Sequence, residues 1–235
     1  MKRLKYPRTK NLPFSKSNSS DDVWLKDCSI FEGEDVVISM KMDGECSSCY
    51  PDGYVHARSI DSGHHPSRAW LKNFAAKWAY LLPQGYRVVG ENCFAFHSLF
   101  YTNLPTYFFV YGIYDDENKC LSWKETEEWC DLLELTTVPI IYRGKWDEET
   151  AKVLWPFESN IGIFENATCV RPQHPEGFVV RNVKPFHYDD FNKNCAKFIA
   201  PHFGLSIREV HWATAPIIPN RLRTSDVKEI VKEQE

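Results

Sequence analysis

The chain has 235 residues, 43% of them hydrophobic and 14% aromatic, enough to bury a substantial core as one large domain or two small ones. Its formal net charge of -4 excludes a protein that holds nucleic acid by overall positive charge, so any such partner must meet a local patch. No segment approaches the ~20 apolar residues that span a bilayer, and the N-terminal residues lack the apolar run of a signal peptide. The chain reads as soluble and cytoplasmic, with no membrane partner.

Basic residues concentrate at the start, where Lys2, Arg3, Lys5, Arg8, Lys10 and Lys16 precede the first acid, Asp21. Such a run serves either as a phosphate-facing arm or as a solvated tail. The cysteines, Cys28, Cys46, Cys49, Cys93, Cys120, Cys130, Cys169 and Cys195, follow no repeated spacing. Cys46-Ser-Ser-Cys49 makes one Cys-x-x-Cys pair, and a structural zinc site would want a second, so the thiols read as small buried hydrophobes.

Runs of β-branched and aromatic residues predict strands at 36–41, 54–59, 87–92, 107–114, 138–143 and 177–181. Between them, apolar spacing predicts a helix over 66–82, with Trp70, Leu71, Phe74, Ala75, Trp78 and Leu82 on one face and Pro83 with Gly85 ending it. Ser122 and Glu125 form a capping box ahead of a helix carrying Trp129, Cys130 and Leu133. Asp147 caps a short helix through Ala151, Leu154 and Trp155, stopped by Pro156. Strands come in clusters and helices fall between them irregularly, which is not the rhythm of a doubly wound sheet. The pattern predicts one α+β domain over 1–235 with largely antiparallel sheets. The charged stretch 225–235 reads as a surface helix or a frayed end.

Residues 41–45 read Lys-Met-Asp-Gly-Glu directly after Val36-Val37-Ile38, so a lysine stands at the end of a buried strand beside a carboxylate and a glycine. A lysine attacks a nucleotide α-phosphate only as the free amine, and nearby cations with partial desolvation would lower its pKa to supply one. Gly44 would let the backbone approach phosphate. The same four residues also suit a strand followed by an Asp-Gly turn with a solvated lysine.

Later segments supply what that lysine would need. Arg58 follows the 54–59 run and could reach a ribose or a phosphate. Glu91 in Gly90-Glu91-Asn92 could accept from ribose hydroxyls or hold a metal-bound water. Tyr111, on a strand with aromatics on alternating faces, could stack on a purine base. Glu176 precedes a strand where Mg²⁺ on triphosphate oxygens would want a carboxylate, and Lys197 could neutralise an α-phosphate.

The order Lys41-x-Asp43-Gly44, Gly90-Glu91, Val110-Tyr111-Gly112-Ile113, Glu176-Gly177 and Lys197 resembles the covalent nucleotidyltransferases, namely polynucleotide ligases and RNA capping enzymes. More narrowly, with Tyr6-Pro7-Arg8-Thr9, His56-Ala57-Arg58-Ser59, His65-Pro66-Ser67-Arg68, His97-Ser98 and Val170-Arg171-Pro172, it resembles the ATP-dependent RNA ligases of phages and bacteria, from about residue 6 to Trp212. The resemblance implies a nucleotidyltransferase (ATP-grasp-like) fold, antiparallel sheets flanked by helices. It also implies ATP and Mg²⁺ as cofactors, with Mn²⁺ able to substitute.

The implied reaction has three steps. Lys41 takes AMP from ATP, the AMP passes to an RNA 5′-phosphate, and an RNA 3′-hydroxyl displaces it. The implied nucleotide site comprises Met40, Asp43, Gly44, Arg58, Glu91, Tyr111, Glu176 and Lys197, with Tyr111 on the adenine, Arg58 and Glu91 on the ribose, Glu176 at the metal and Lys197 on the α-phosphate. The chain departs from the family pattern at Met40, where an acid is usual, at Cys46, Gly112 and Ala200, and at Cys195, where a second lysine often stands. A capping-type guanylyltransferase or a DNA nick ligase would use the same lysine. The departures also suit a nucleic-acid-binding protein that has lost turnover. No separate C-terminal nucleic-acid-binding domain is evident after Lys197.

Overall fold

The computed structural model describes residues 2–17, 22–201 and 216–223. The 225–235 stretch and the far end of the family-like region, at Trp212, lie outside the described residues. Among the described residues the fold is α+β, with two large sheets and three α-helices. No described helix is long and apolar enough to cross a membrane.

One sheet is built from β1 (Lys10–Asn11), β2 (Asp35–Met40), β10 (Ile140–Lys145), β12 (Gly177–Asn182) and β14 (Cys195–Ile199), in the order β1-β14-β12-β2-β10. Every pairing in it is antiparallel except that of β1 with β14. The other large sheet runs through β13 (Phe186–His187), β8 (Lys119–Cys120), β7 (Phe108–Tyr114), β5 (Arg87–Asn92), β3 (Glu45–Cys49) and β4 (Val55–Ala57), with β9 (Thr136–Thr137) pairing β7. A two-stranded ribbon joins β6 (Phe100–Tyr101) to β11 (Ile163–Phe164).

Strand periodicity decides what each face does. Val36 and Ile38 of β2, Phe178 and Val180 of β12, and Ala196 and Phe198 of β14 share one core with Leu12, Phe31 and Ala151. Ala151 belongs to α3 (Glu148–Val153), whose first turn is capped by Asp147 accepting from the Thr150 N–H at 2.6 Å. The alternate residues Val37, Ser39, Val179, Arg181, Cys195 and Lys197 turn to a cavity between the sheets. On the far side, Val88, Phe108, Val110 and Ile113 pack against Leu71 and Ala75 of α1 (Ala69–Ala75) and Cys130 of α2 (Trp123–Leu132). The Ser122–Glu125 capping box is formed as expected.

The helix expected over 66–82 is instead three pieces, a 3-10 turn at Pro66–Arg68, then α1, then a 3-10 turn at Ala79–Leu81. Trp78 leaves helical space (φ -136, ψ -22) and its ring stacks on Phe108 at 6.5 Å, so tertiary packing overrides the local period. Leu71, Ala75, Trp78 and Leu82 are all buried regardless. The eight cysteines are free thiols, six of them buried, with Cys46 and Cys169 partly exposed.

The N-terminal basic run is tied to the fold at several points, while Lys2, Lys5 and Arg8 stay exposed. Arg3 lies 4.4 Å from the ring centroids of both Tyr50 and Tyr54 and pairs with Asp52. The Leu4 N–H donates to the Tyr50 hydroxyl at 3.1 Å, and Tyr188 donates to the Lys5 carbonyl at 2.6 Å. Lys10 and Asn11 then join the sheet beside β14.

Candidate active site

Lys41 is the first residue past β2, in the segment that crosses to β3 and the other sheet. Its backbone N–H is held by the Gly177 carbonyl at 3.0 Å, and its Nζ lies 2.6 Å from Glu176 Oε2. Gly177 has φ +152, and a Cβ there would come within 2.0 Å of the Phe198 carbonyl oxygen. Only glycine brings β12 this close to β14, and the same approach sets Glu176 against Lys41.

Around Lys41 the electrostatics oppose the expectation from sequence. Burial pulls the ammonium down, but the carboxylates of Glu176, Glu91 and Asp43 outweigh it, and the pKa lies above that of an ordinary lysine. Carboxylates, not cations, are its principal charged neighbours. Burial in turn pushes Glu176 up to about 7 and Glu91 to about 8, with Lys41 offsetting part of the rise and Asp43 adding to it in both. Two of the acids are therefore crowded and partly protonated near neutral pH.

The cavity has a volume of about 220 Å³. Met40, Lys41, Arg58, Glu91, Tyr111 and Lys197 are all on its wall, drawn from five strands or strand ends. Met40 is 1% exposed, and its N–H donates to the Pro139 carbonyl at 2.8 Å. Tyr111 is tilted against Tyr6 at 5.2 Å between ring centroids. Arg58 follows β4, and Glu91 stands one residue from the end of β5.

Asp43 and Gly44 are not on that wall. Asp43 Oδ2 accepts from the Ser98 and Leu99 N–H groups, each at 2.6 Å, and so pins the loop before β6. A Cβ on Gly44 would lie 2.6 Å from the Asn92 carbonyl oxygen, so the glycine admits close passage of β5. Its N–H donates to Glu91, which tends to lower that acid's pKa. Glu176 is not on the wall either and reaches it through Lys41.

Lys197 reaches the wall from β14, and its Nζ is 2.8 Å from Asp22 Oδ1. Nothing in the sequence marks Asp22 as that partner. The wall also includes residues 6–9 of the first segment, together with Trp123, Val138, Val179 and Arg181. The Tyr-Pro-Arg-Thr stretch is family-like in sequence but carries no role there. Val179 and Arg181 lie two and four residues past Gly177, on the face of β12 opposite Phe178 and Val180, so the two-residue period of a strand is the signal that could have found them.

The RNA ligase family model matches residues 34–199, which spans Lys41 through the whole of β14. The chain belongs to the RNA ligase family. Similar solved structures include a Naegleria gruberi RNA ligase mutant with AMP and Mn, 13% identical over 84% of this chain and 56% of that one, with a TM-score of 0.49. Another is the Naegleria gruberi RNA ligase with PPi, 16% identical over 73% of this chain and 52% of that one, with a TM-score of 0.47. The chain spans about half the length of these proteins. No curated protein matches it.

Proposed function

We propose that residues 1–235 act as one adenylyltransferase domain that joins RNA 5′-phosphate and 3′-hydroxyl ends with ATP, through an AMP bound to Lys41. The observation that carries this reading is a strand-end lysine, 2.6 Å from Glu176, on the wall of a cavity shared with Tyr111, Arg58, Glu91 and Lys197 in a chain of the RNA ligase family.

In the first step the Lys41 Nζ lone pair forms a bond to the α-phosphorus, the bond from that phosphorus to the bridging oxygen breaks, and pyrophosphate leaves with the electron pair. The amine must first have given up its extra proton. In the second step an oxygen of the RNA 5′-phosphate takes the AMP and Lys41 is released. In the third, the 3′-hydroxyl oxygen attacks that 5′-phosphorus, loses its proton, and AMP departs. Each is an in-line phosphoryl transfer, so positioning and charge neutralisation carry the catalysis.

Tyr111 offers the aromatic face for the adenine, and Arg58 and Glu91 the polar groups for the ribose. Lys197, on the cavity wall, would face the α-phosphate. Among the described residues no three His, Cys, Asp or Glu side chains form a metal-holding group. Mg²⁺ or Mn²⁺ is commonly held by one or two carboxylates together with substrate phosphates and water. The crowded acids fit such a cation, and Glu176 would hold it. When bound it would supply positive charge against the triphosphate.

The test is an intact-mass spectrum after incubation with ATP and Mg²⁺, which should show an alkali-stable gain of one AMP. Labelling by GTP in preference to ATP would favour a capping-type enzyme, and sealing of nicked DNA over nicked RNA a DNA ligase. No adduct with either nucleotide would sink the reading.

A further inference from the structure

Lys197 and Asp22 are 175 residues apart in sequence and form an ion pair that the catalytic reading does not use. The pair is enclosed, with 17% of the Lys197 side chain and 12% of the Asp22 side chain exposed. It is also built from the sheet outward. Ser39, Val179, Lys197 and Asn11 lie in one register row across β2, β12, β14 and β1. The next backbone in that row is the segment after Asp22, because the Asn11 N–H donates to the Val23 carbonyl at 2.7 Å and the Leu25 N–H donates to the Asn11 carbonyl at 2.8 Å. Asp22 thus hangs from the neighbour of β1, one strand beyond it, and its carboxylate reaches back across that strand to Lys197. Ser17 donates its hydroxyl to the other carboxylate oxygen, Oδ2.

The Leu12 N–H bonds the Lys197 carbonyl at 2.8 Å, and the Ile199 N–H donates to Ser15 Oγ at 2.8 Å, so the backbone on both sides of the ion pair is tied to one ladder. Among the described residues Asp22 is the ion-pair partner of Lys197. A lysine carries four side-chain torsions and loses much freedom when it must hold one geometry. An enclosed carboxylate that is itself gripped by Ser17 removes that freedom before any nucleotide arrives.

We propose that Asp22 is the positioning residue for Lys197, fixing its ammonium at the cavity wall where the α-phosphate charge builds during AMP transfer. The inference rests on the lysyl-AMP reading above. It assigns a role to a residue outside the 34–199 region that the family model matches. Asp22 itself is not on the cavity wall and acts through Lys197.

The test measures AMP transfer to Lys41 in single turnover across ATP concentrations for the full chain and for Asp22→Asn, Asp22→Glu, Lys197→Gln and the Asp22→Asn/Lys197→Gln double variant. Asp22→Asn should slow transfer at saturating ATP by about tenfold, the scale of one immobilised lysine, with the ATP requirement changed by less than about threefold. Asp22→Glu should recover most of the loss. The double variant should be no slower than Lys197→Gln, because Asp22 has nothing left to position. Additive losses overturn the proposal, as does faster transfer in Asp22→Asn, which would make Asp22 a restraint on Lys197. A uniform loss in Asp22→Asn and Asp22→Glu accompanied by a lowered melting temperature would assign Asp22 to folding and overturn it too. A wild-type chain that takes up no AMP from ATP removes the functional reading and this inference together, whereas a wild type that labels normally confines any failure to Asp22.

Discussion

The Lys41 ammonium and the Glu176 carboxylate meet at 2.6 Å, so altering either shifts the pKa of the other. Lys41 is held charged by Glu176, Glu91 and Asp43 acting together. On the proposed lysyl-AMP reading, the free protein therefore holds Lys41 in its unreactive, protonated form. Burial alone would lower the Lys41 pKa, and the surrounding acids reverse the direction of the shift.

Lys41→Ala should abolish the AMP adduct in an intact-mass assay. The fold should persist, because a partly exposed lysine at a strand end contributes little packing, but Glu176 and Glu91 lose the cation that offsets their burial. A loss of about 1–3 kcal/mol is expected in thermal melts at neutral pH and above, shrinking at acidic pH as the acids protonate. Retained labelling would show that the nucleophile is elsewhere.

Glu176→Gln keeps the volume beside Lys41 and removes the charge. AMP transfer should fall about 100-fold or more, and the requirement for Mg²⁺ should rise, since the carboxylate is proposed to hold the cation against the triphosphate. The measurement is a Mg²⁺ titration of the single-turnover rate. An unchanged Mg²⁺ midpoint would take Glu176 away from the metal.

Much of this site is legible in the sequence because strand ends announce themselves. Val36 to Ile38 predicts β2, and Lys41 follows from where that run stops. The strand with Tyr111 and the one after Glu176 emerge the same way. β3 escapes because Glu-Cys-Ser-Ser-Cys lacks β-branched and aromatic residues, and it becomes a strand by pairing with both β4 and β5. Asp43 and Gly44 read as part of the nucleotide site because their spacing from Lys41 is local, whereas their partners, Ser98, Leu99 and Asn92, come from distant segments. Asp22 is hidden for a related reason. Its tie to Lys197 depends on β1 lying parallel to β14, and two residues of strand carry no readable period.

Glu91 gives a pH-dependent prediction. Burial raises it from the ordinary 4.5 to about 8, so between those values the folded chain keeps a proton that the unfolded chain has lost. Stability should then fall as pH rises through that window and level off above it. Glu91→Gln removes the penalty. Its melting temperature should match wild type near pH 4.5 and exceed it by about 10 °C or more at pH 8–9, because a shift from 4.5 to about 8 is worth roughly 5 kcal/mol. A constant difference across the range would mean that Glu91 does not titrate in this window.

Tyr111→Ala should raise the ATP concentration needed for half-maximal labelling by about tenfold, and it should also loosen Tyr6, whose ring sits 5.2 Å from Tyr111. Tyr111→Phe keeps the ring and should be nearly silent. If Phe is as damaging as Ala, the hydroxyl and not the ring carries the role.

Arg3 separates two functions that the sequence joins in one basic run. Because its guanidinium is held by Tyr50, Tyr54 and Asp52, Arg3 is a clasp that seats the segment leading to Tyr6 on the cavity wall. Lys2 and Lys5 are exposed instead. Arg3→Gln should lower the melting temperature and weaken ATP use while leaving the salt dependence of RNA binding close to wild type. Lys2→Gln with Lys5→Gln should do the opposite. AMP transfer from ATP should be unaffected, and the slope of log affinity for RNA against log salt should flatten by about 0.7–0.9 for each phosphate that the chain no longer neutralises. An unchanged slope in the lysine variant would leave RNA binding to other surfaces, and a flattened slope in Arg3→Gln would mean that the clasp also carries the lysines to the RNA.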